Sequence, residues 1–188
     1  IDGETFPVPA PFMVLATQNP IEQEGTYPLP EAELDRFIMK ILIDFPATDD
    51  EISIVQQVTD VRLANEDYLA RVLPVVNPQR VAEWQYAAWQ IEADTEVVDY
   101  AVRICRATRE WAGIARGSGP RGSINMIKVA KANALLAGRQ FITPDDVKSL
   151  AVAVLRHRIL LTADREIEGA TSDQVLTDLL EQIEAPRQ

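Results

Sequence analysis

From Thr48 onward the apolar residues recur at three- and four-residue spacing, interrupted only by proline, glycine and capping residues. That period puts them on one face of a helix, so this part of the chain must bury helix against helix. Thr48-Asp49-Asp50-Glu51 has the spacing of a capping box, with Ile52, Val55 and Thr59 on one face behind it. Asn77 suits an N-cap and Pro78 the first helical position, ahead of Val81, Trp84, Ala88 and Ile91. Thr95 opens a helix whose stripe is Val97, Ala101, Ile104, Cys105, Thr108 and Ala112. Residues 113–122 hold four glycines and a proline and read as a loop. A helix over 123–137 follows, with Ile127, Ala130 and Ala134 inward and Gly138 as its stop. Thr143-Pro144-Asp145-Asp146 and Thr171-Ser172-Asp173-Gln174 start two more helices. The first of these carries the clearest amphipathic face, Val147, Leu150, Ala151, Val154 and Leu155; the second carries Val175, Leu176, Leu179, Leu180 and Ile183.

Residues 1–46 differ. Residues 1–9 read as a turn at Asp2-Gly3 and an edge strand. Phe12 to Ala16 is a short apolar run bounded by Pro11 and Asn19-Pro20, which reads as a buried strand. Pro30 and Glu31 start a short helix over 31–37; Leu34, Phe37 and Ile38 share its buried face and Arg36 points off it. Residues 38–45 form a second strand, closed by Pro46. Two such strands cannot complete a sheet, since each buried strand needs neighbours on both edges. The expected fold is therefore mainly α with a small α/β part: a core portion over 1–46 and a helical bundle over 47–188.

A Thr17-Gln18-Asn19 trio stands where the first strand ends, the position at which open α/β sheets present polar groups to a ligand. The words Ala16-Thr17-Gln18-Asn19-Pro20, Glu24-Gly25-Thr26-Tyr27-Pro28-Leu29-Pro30-Glu31-Ala32 and Leu34-Asp35-Arg36-Phe37 closely resemble the MoxR family of AAA+ ATPases. Gly119-Pro120-Arg121-Gly122-Ser123 is similar to that family's sensor 2 segment. The resemblance runs over nearly the whole chain but corresponds to the C-terminal part of the ATPase module. It implies that residues 47–188 are the AAA+ lid, Asn19 is sensor 1, Arg36 the arginine finger and Arg121 sensor 2. It implies ATP and Mg²⁺ as cofactors, a homo-oligomeric ring (a hexamer, by family resemblance), and chaperone-like remodelling or maturation of partner complexes. A partner with a von Willebrand factor A-type domain is typical of the family. The family's Gly-x-x-x-x-Gly-Lys-Ser/Thr loop and Asp-Glu strand, which hold phosphates and Mg²⁺, do not occur in the sequence. The chain is thus expected to be a fragment that is inactive alone, with most ATP and Mg²⁺ ligands upstream.

Each residue also has a plainer role. Asn19 would form an Asx-turn into Pro20. Arg36 would pair on the surface with Asp35, Glu33 or Glu31, an interaction worth little; in the finger reading Asp35 holds its guanidinium. Arg121 would be a loop arginine, a description that suits Arg116 better; ahead of a helix N-terminus, though, a guanidinium favours phosphate. His157, the one histidine, ends the most amphipathic helix, where a cation is favourable. Glu22 and Glu24 are read as solvated rather than metal-binding, so no metal site is expected from this chain.

The formal charge of −11, with only four lysines, argues against a nucleic-acid surface and against docking on anionic membranes. No run long enough to span a membrane occurs, and the single cysteine excludes an internal disulfide. A cytoplasmic protein is expected. The alternatives are a non-catalytic helical interaction module and a nucleic-acid motor ATPase, and the acidity weighs against the second.

Overall fold

The computed structural model describes residues 5–18, 29–59 and 72–186. Eight helices lie among them, and the expected helical character holds: α1 (Glu31–Leu34), α2 (Thr48–Thr59), α3 (Pro78–Gln90), α4 (Thr95–Ala107), α5 (Pro120–Leu136), α6 (Pro144–Leu155), α7 (Ala163–Ile167) and α8 (Ser172–Gln182). The core sits where α4, α5, α6 and α8 meet. Tyr100, Ile104, Met126, Val147, Val154, Leu155, Leu176 and Leu179 are its largest fully buried apolar side chains. All eight lie on stripes of period three and four, the arrangement that buries one face per helix.

Side-chain caps fall where the sequence puts them. Asn77 accepts from the Arg80 N–H at 2.8 Å, with Pro78 at the first helical position. Thr143 with Asp146 and Thr171 with Gln174 form reciprocal capping boxes on α6 and α8. The cap of α4 is Asp94, one residue before Thr95, and its carboxylate accepts from the Glu96 N–H at 2.7 Å. Thr48 is not a cap: the first bond of α2 runs from Glu51 N–H to the Ala47 carbonyl, which puts Thr48 inside the helix.

Several boundaries and faces depart from expectation. The helix α5 starts at Pro120, three residues early, because the proline can occupy the first turn. The helix α4 ends at Ala107, so Ala112 leaves the stripe and is exposed. Ile52 and Val55 of α2 are about half exposed, with no facing element among the described residues. The stretches read as strands, 5–9, 12–16 and 38–45, carry no ladder; Leu15, Ile43 and Phe45 are 85%, 93% and 94% exposed. Without neighbours on both edges an apolar strand has nothing to pair with or pack on. The strands present are β1 (Ile114–Arg116) and β2 (Leu160–Leu161), an antiparallel pair joining Ile114 to Leu161 and Arg116 to Leu160. Two or three residues are too short to show a period in sequence.

Candidate functional site

The loop before α5 is held by close backbone approach. A Cβ on Gly117 would lie 2.5 Å from the Thr108 carbonyl carbon and oxygen, so only glycine lets the loop lie against the end of α4. Thr108 Oγ1 donates to the Cys105 carbonyl at 2.6 Å and accepts from the Ser118 N–H at 2.9 Å. Arg109 Nε donates to the Ser118 carbonyl at 2.8 Å. Gly122 serves in the same way within the first turn of α5: a Cβ there would meet Ser118 Oγ at 2.2 Å and Cys105 Sγ at 2.8 Å. These contacts fix that first turn, and with it Arg121, which lies within the turn rather than ahead of it.

Arg121 Nη1 donates to Asp35 Oδ2 at 3.0 Å. The other carboxylate oxygen, Asp35 Oδ1, accepts from Arg158 Nε at 3.2 Å. Asp35 therefore does not hold Arg36. The Arg36 side chain is exposed and has no hydrogen-bond or ion-pair partner among the described residues. The surface pair with Glu31 is absent too, because Glu31 pairs with Arg116. The fold thus gathers Arg121 and Arg158 around one aspartate at the end of α1, next to Arg36 in the chain. Asn19, Glu22 and Glu24 lie outside the described residues.

The end of α6 and the residues after it hold the 35–40 stretch. Lys40 N–H donates to the Ala153 carbonyl at 2.9 Å, and Arg156 Nη1 to the Lys40 carbonyl at 3.2 Å. His157 Nε2 lies 3.3 Å from the Phe37 carbonyl, which requires the proton on Nε2. Its Nδ1 is buried without a partner. Burial, then the Arg158 charge, lowers the imidazole pKa to about 4. His157 is neutral near pH 7, not the helix-end cation expected, because a second ring proton would have no acceptor. Burial also pulls Arg158 down and Asp35 opposes it, yet a guanidinium starts so high that it stays charged.

Arg158 is the functional candidate that sequence reasoning missed. A signal existed: it lies four residues after Val154 and three after Leu155, continuing the buried stripe of α6, where a charge demands a partner.

The donors gathered here are guanidinium groups and the start of α5. That 17-residue helix has Gly119 as its N-cap and no capping side chain. A cation beside a helix N-terminus suits phosphate oxygens. It does not suit Mg²⁺, which needs oxygen ligands, so no metal-dependent step is derived from these residues.

The family model described as the AAA lid domain matches residues 106–179, and that for ATPases associated with various cellular activities matches residues 1–39. Chaperone MoxR1 of Mycobacterium tuberculosis is 35% identical over all of this chain and 50% of its own length. The chain belongs to the MoxR-type AAA+ ATPases. Another relative at 35%, the uncharacterized protein YeaC of Bacillus subtilis, is matched over all of this chain and 57% of its length. A crystal structure of a Cytophaga hutchinsonii protein assigned as an ATPase superposes with a TM-score of 0.86 at 34% identity, over 98% of this chain and 58% of that one. This MoxR-type chain spans about half the length of the relatives it matches. No helix among the described residues is long and apolar enough to cross a membrane.

Proposed function

We propose that this MoxR-type chain supplies the lid and the cross-subunit arginine of a ring-forming ATP hydrolase, with residues 1–46 belonging to its α/β core and 47–188 to the lid. In this reading Arg121 contacts the γ-phosphate bound by its own subunit, and Arg36 reaches the nucleotide of the next. Asn19 orients the attacking water. ATP binds with Mg²⁺, whose ligands come mostly from outside this chain. Hydrolysis drives rigid-body motion of the lid, used for chaperone-like remodelling of partner complexes, with a von Willebrand factor A-type protein as the partner class.

One observation carries the reading. Arg36 is an exposed guanidinium with no partner among the described residues, on a stretch of backbone that the helical bundle holds firmly. A surface arginine serving only stability would take the acidic neighbours at hand. A finger must instead stay free to meet developing charge on a transferring phosphoryl group, an effect of roughly 10³–10⁵ in rate.

The test is ATP turnover by the full-length protein. Arg36→Ala is expected to leave nucleotide affinity nearly intact and lower turnover by at least about a hundredfold, since the group acts on the transition state. Arg36→Lys should rescue poorly, as it lacks the planar fork. Near-normal turnover of Arg36→Ala would refute the proposal.

A further inference from the structure

We infer that Arg158 is a positioning residue for Arg36. Its buried guanidinium fixes the backbone from which the finger projects. The inference rests on the finger reading and extends it to a residue about 120 positions away in the chain.

The Arg158 side chain is 1% exposed. A buried guanidinium is tolerated only when its N–H groups are met, and arginine has five. Nε donates to Asp35 Oδ1 at 3.2 Å. Nη2 donates to the Asp35 carbonyl at 3.1 Å and to the Phe37 carbonyl. Nη1 donates to the Ile38 carbonyl at 3.2 Å and to the Val154 carbonyl. Four of these five bonds end on residues 35–38, and only the Val154 bond stays local.

The carbonyls so held, of Asp35, Phe37 and Ile38, belong to the cap of α1 and the turn that follows it. The helix α1 has four residues, too few to persist on its own bonds. Its own end carbonyls accept from the Asp35, Arg36 and Phe37 N–H groups, and the turn these residues form is held in place by a side chain about 120 positions away. The two residues flanking Arg36, Asp35 and Phe37, are both gripped through their carbonyls. This fixes the direction in which the Arg36 side chain leaves the chain, while its guanidinium meets no partner among the described residues.

The arrangement does something stability alone would not require. A buried ion pair is often no more stabilising than apolar residues of equal size, whereas planar bidentate hydrogen bonding sets geometry. Asp35 adds a division of labour. Its Oδ1 faces the buried Arg158 and its Oδ2 the half-exposed Arg121. A phosphate that draws Arg121 away breaks only the exposed half, and the Arg158 half continues to hold Arg36 in place.

The experiment uses rings of the full-length protein. Arg158→Lys keeps the charge but cannot bridge four acceptors. It is expected to lower kcat by about ten- to a hundredfold, the scale of an ångström-level misplacement, with nucleotide Kd within about twofold. The discriminating readout is a mixed ring. Arg158→Lys subunits are combined with subunits whose own phosphate-binding residues are disabled but whose Arg36 is intact. Activity should be recovered, because each Arg158→Lys site can meet an intact finger. No recovery would place the defect in the subunit's own site and overturn the inference. Normal turnover for Arg158→Lys beside a dead Arg36→Ala overturns it while leaving the finger reading intact; normal turnover for both removes the finger reading itself. If Arg158→Lys fails to fold, Asp35→Ala, which removes the carboxylate clamp but not the carbonyl bonds, goes into the same mixed ring. There too, recovery supports the inference and its absence overturns it.

Discussion

Replacing Asp146 by alanine tests how the helical bundle is held. Asp146 is 4% exposed at the third position of α6 and accepts five hydrogen bonds. Arg139 donates to both its oxygens, at 2.7 and 2.6 Å. Asn133 Nδ2 donates at 2.8 Å, and the Thr143 N–H and Oγ1 at 2.8 and 2.9 Å. The carboxylate thus joins the start of α6 to the end of α5. The Arg139 pair, then the Thr143 and Asn133 bonds, hold its pKa well below the usual carboxylate range against the opposing effect of burial. In Asp146→Ala the Asn133 amide and the Thr143 N–H lose their acceptor, at about 1 kcal/mol each. Arg139 also loses its counter-charge; its side chain is 31% exposed, so water recovers much of that. The two lost bonds alone put the expected loss at about 2 kcal/mol or more, a large share of a domain's typical total of about 5–15. Urea denaturation of residues 1–188 followed by circular dichroism reads it as a lower midpoint at constant slope. The exposed neighbour in Asp145→Ala serves as control and should cost less than about 1 kcal/mol. Asp146 has a depressed folded pKa, so its contribution is complete above the unfolded value of about 3.9 and shrinks as pH falls below it. A loss no larger than that of Asp145→Ala would refute the network reading.

Other outcomes follow from the same contacts. His157 titrates near 4 when folded and near 6.5 when unfolded, so the unfolded chain binds more protons between those values. Stability should therefore fall as pH drops from about 6.5 to about 4, and His157→Gln should flatten that slope; an unchanged slope would contradict the neutral assignment. Gly122→Ala should destabilise by about 1–3 kcal/mol despite alanine's better helix propensity, since its Cβ would meet Ser118, Cys105 and Leu155 side chains within 3 Å. Gly119→Ala, where nothing lies within 4 Å, should stay within about 0.5 kcal/mol, and equal melting shifts for the two would count against the close-packing argument.

What could be read in advance was whatever a helix writes into a local pattern. The α4, α6 and α8 stripes were legible because burying one face forces a period of three to four. The caps at Asn77, Thr143 and Thr171 were legible because a side-chain oxygen must meet a free N–H within three residues. The failures share a different cause. The period of α2 was real, but a stripe says only that something should cover it, and Ile52 and Val55 remain about half exposed. Likewise β1 and β2 owe their pairing to contact between distant loops and have no period of their own.

The site was misread where sequence adjacency replaced geometry. Asp35 stands next to Arg36, which invites pairing them. Consecutive residues on a helix point about 100° apart, though, so neighbours i and i+1 do not face each other. Asp35 is turned toward the bundle and meets Arg121 and Arg158, 86 and 123 positions away. Arg36 is turned outward by the same rotation. Its freedom is thus a consequence of where Asp35 points, and any change that rotates the end of α1 must move both. A substitution that releases Asp35 from the bundle would allow it to fold back on Arg36 and neutralise it. For this reason Asp35, although it carries no chemistry itself, should be as sensitive to change as the arginine beside it.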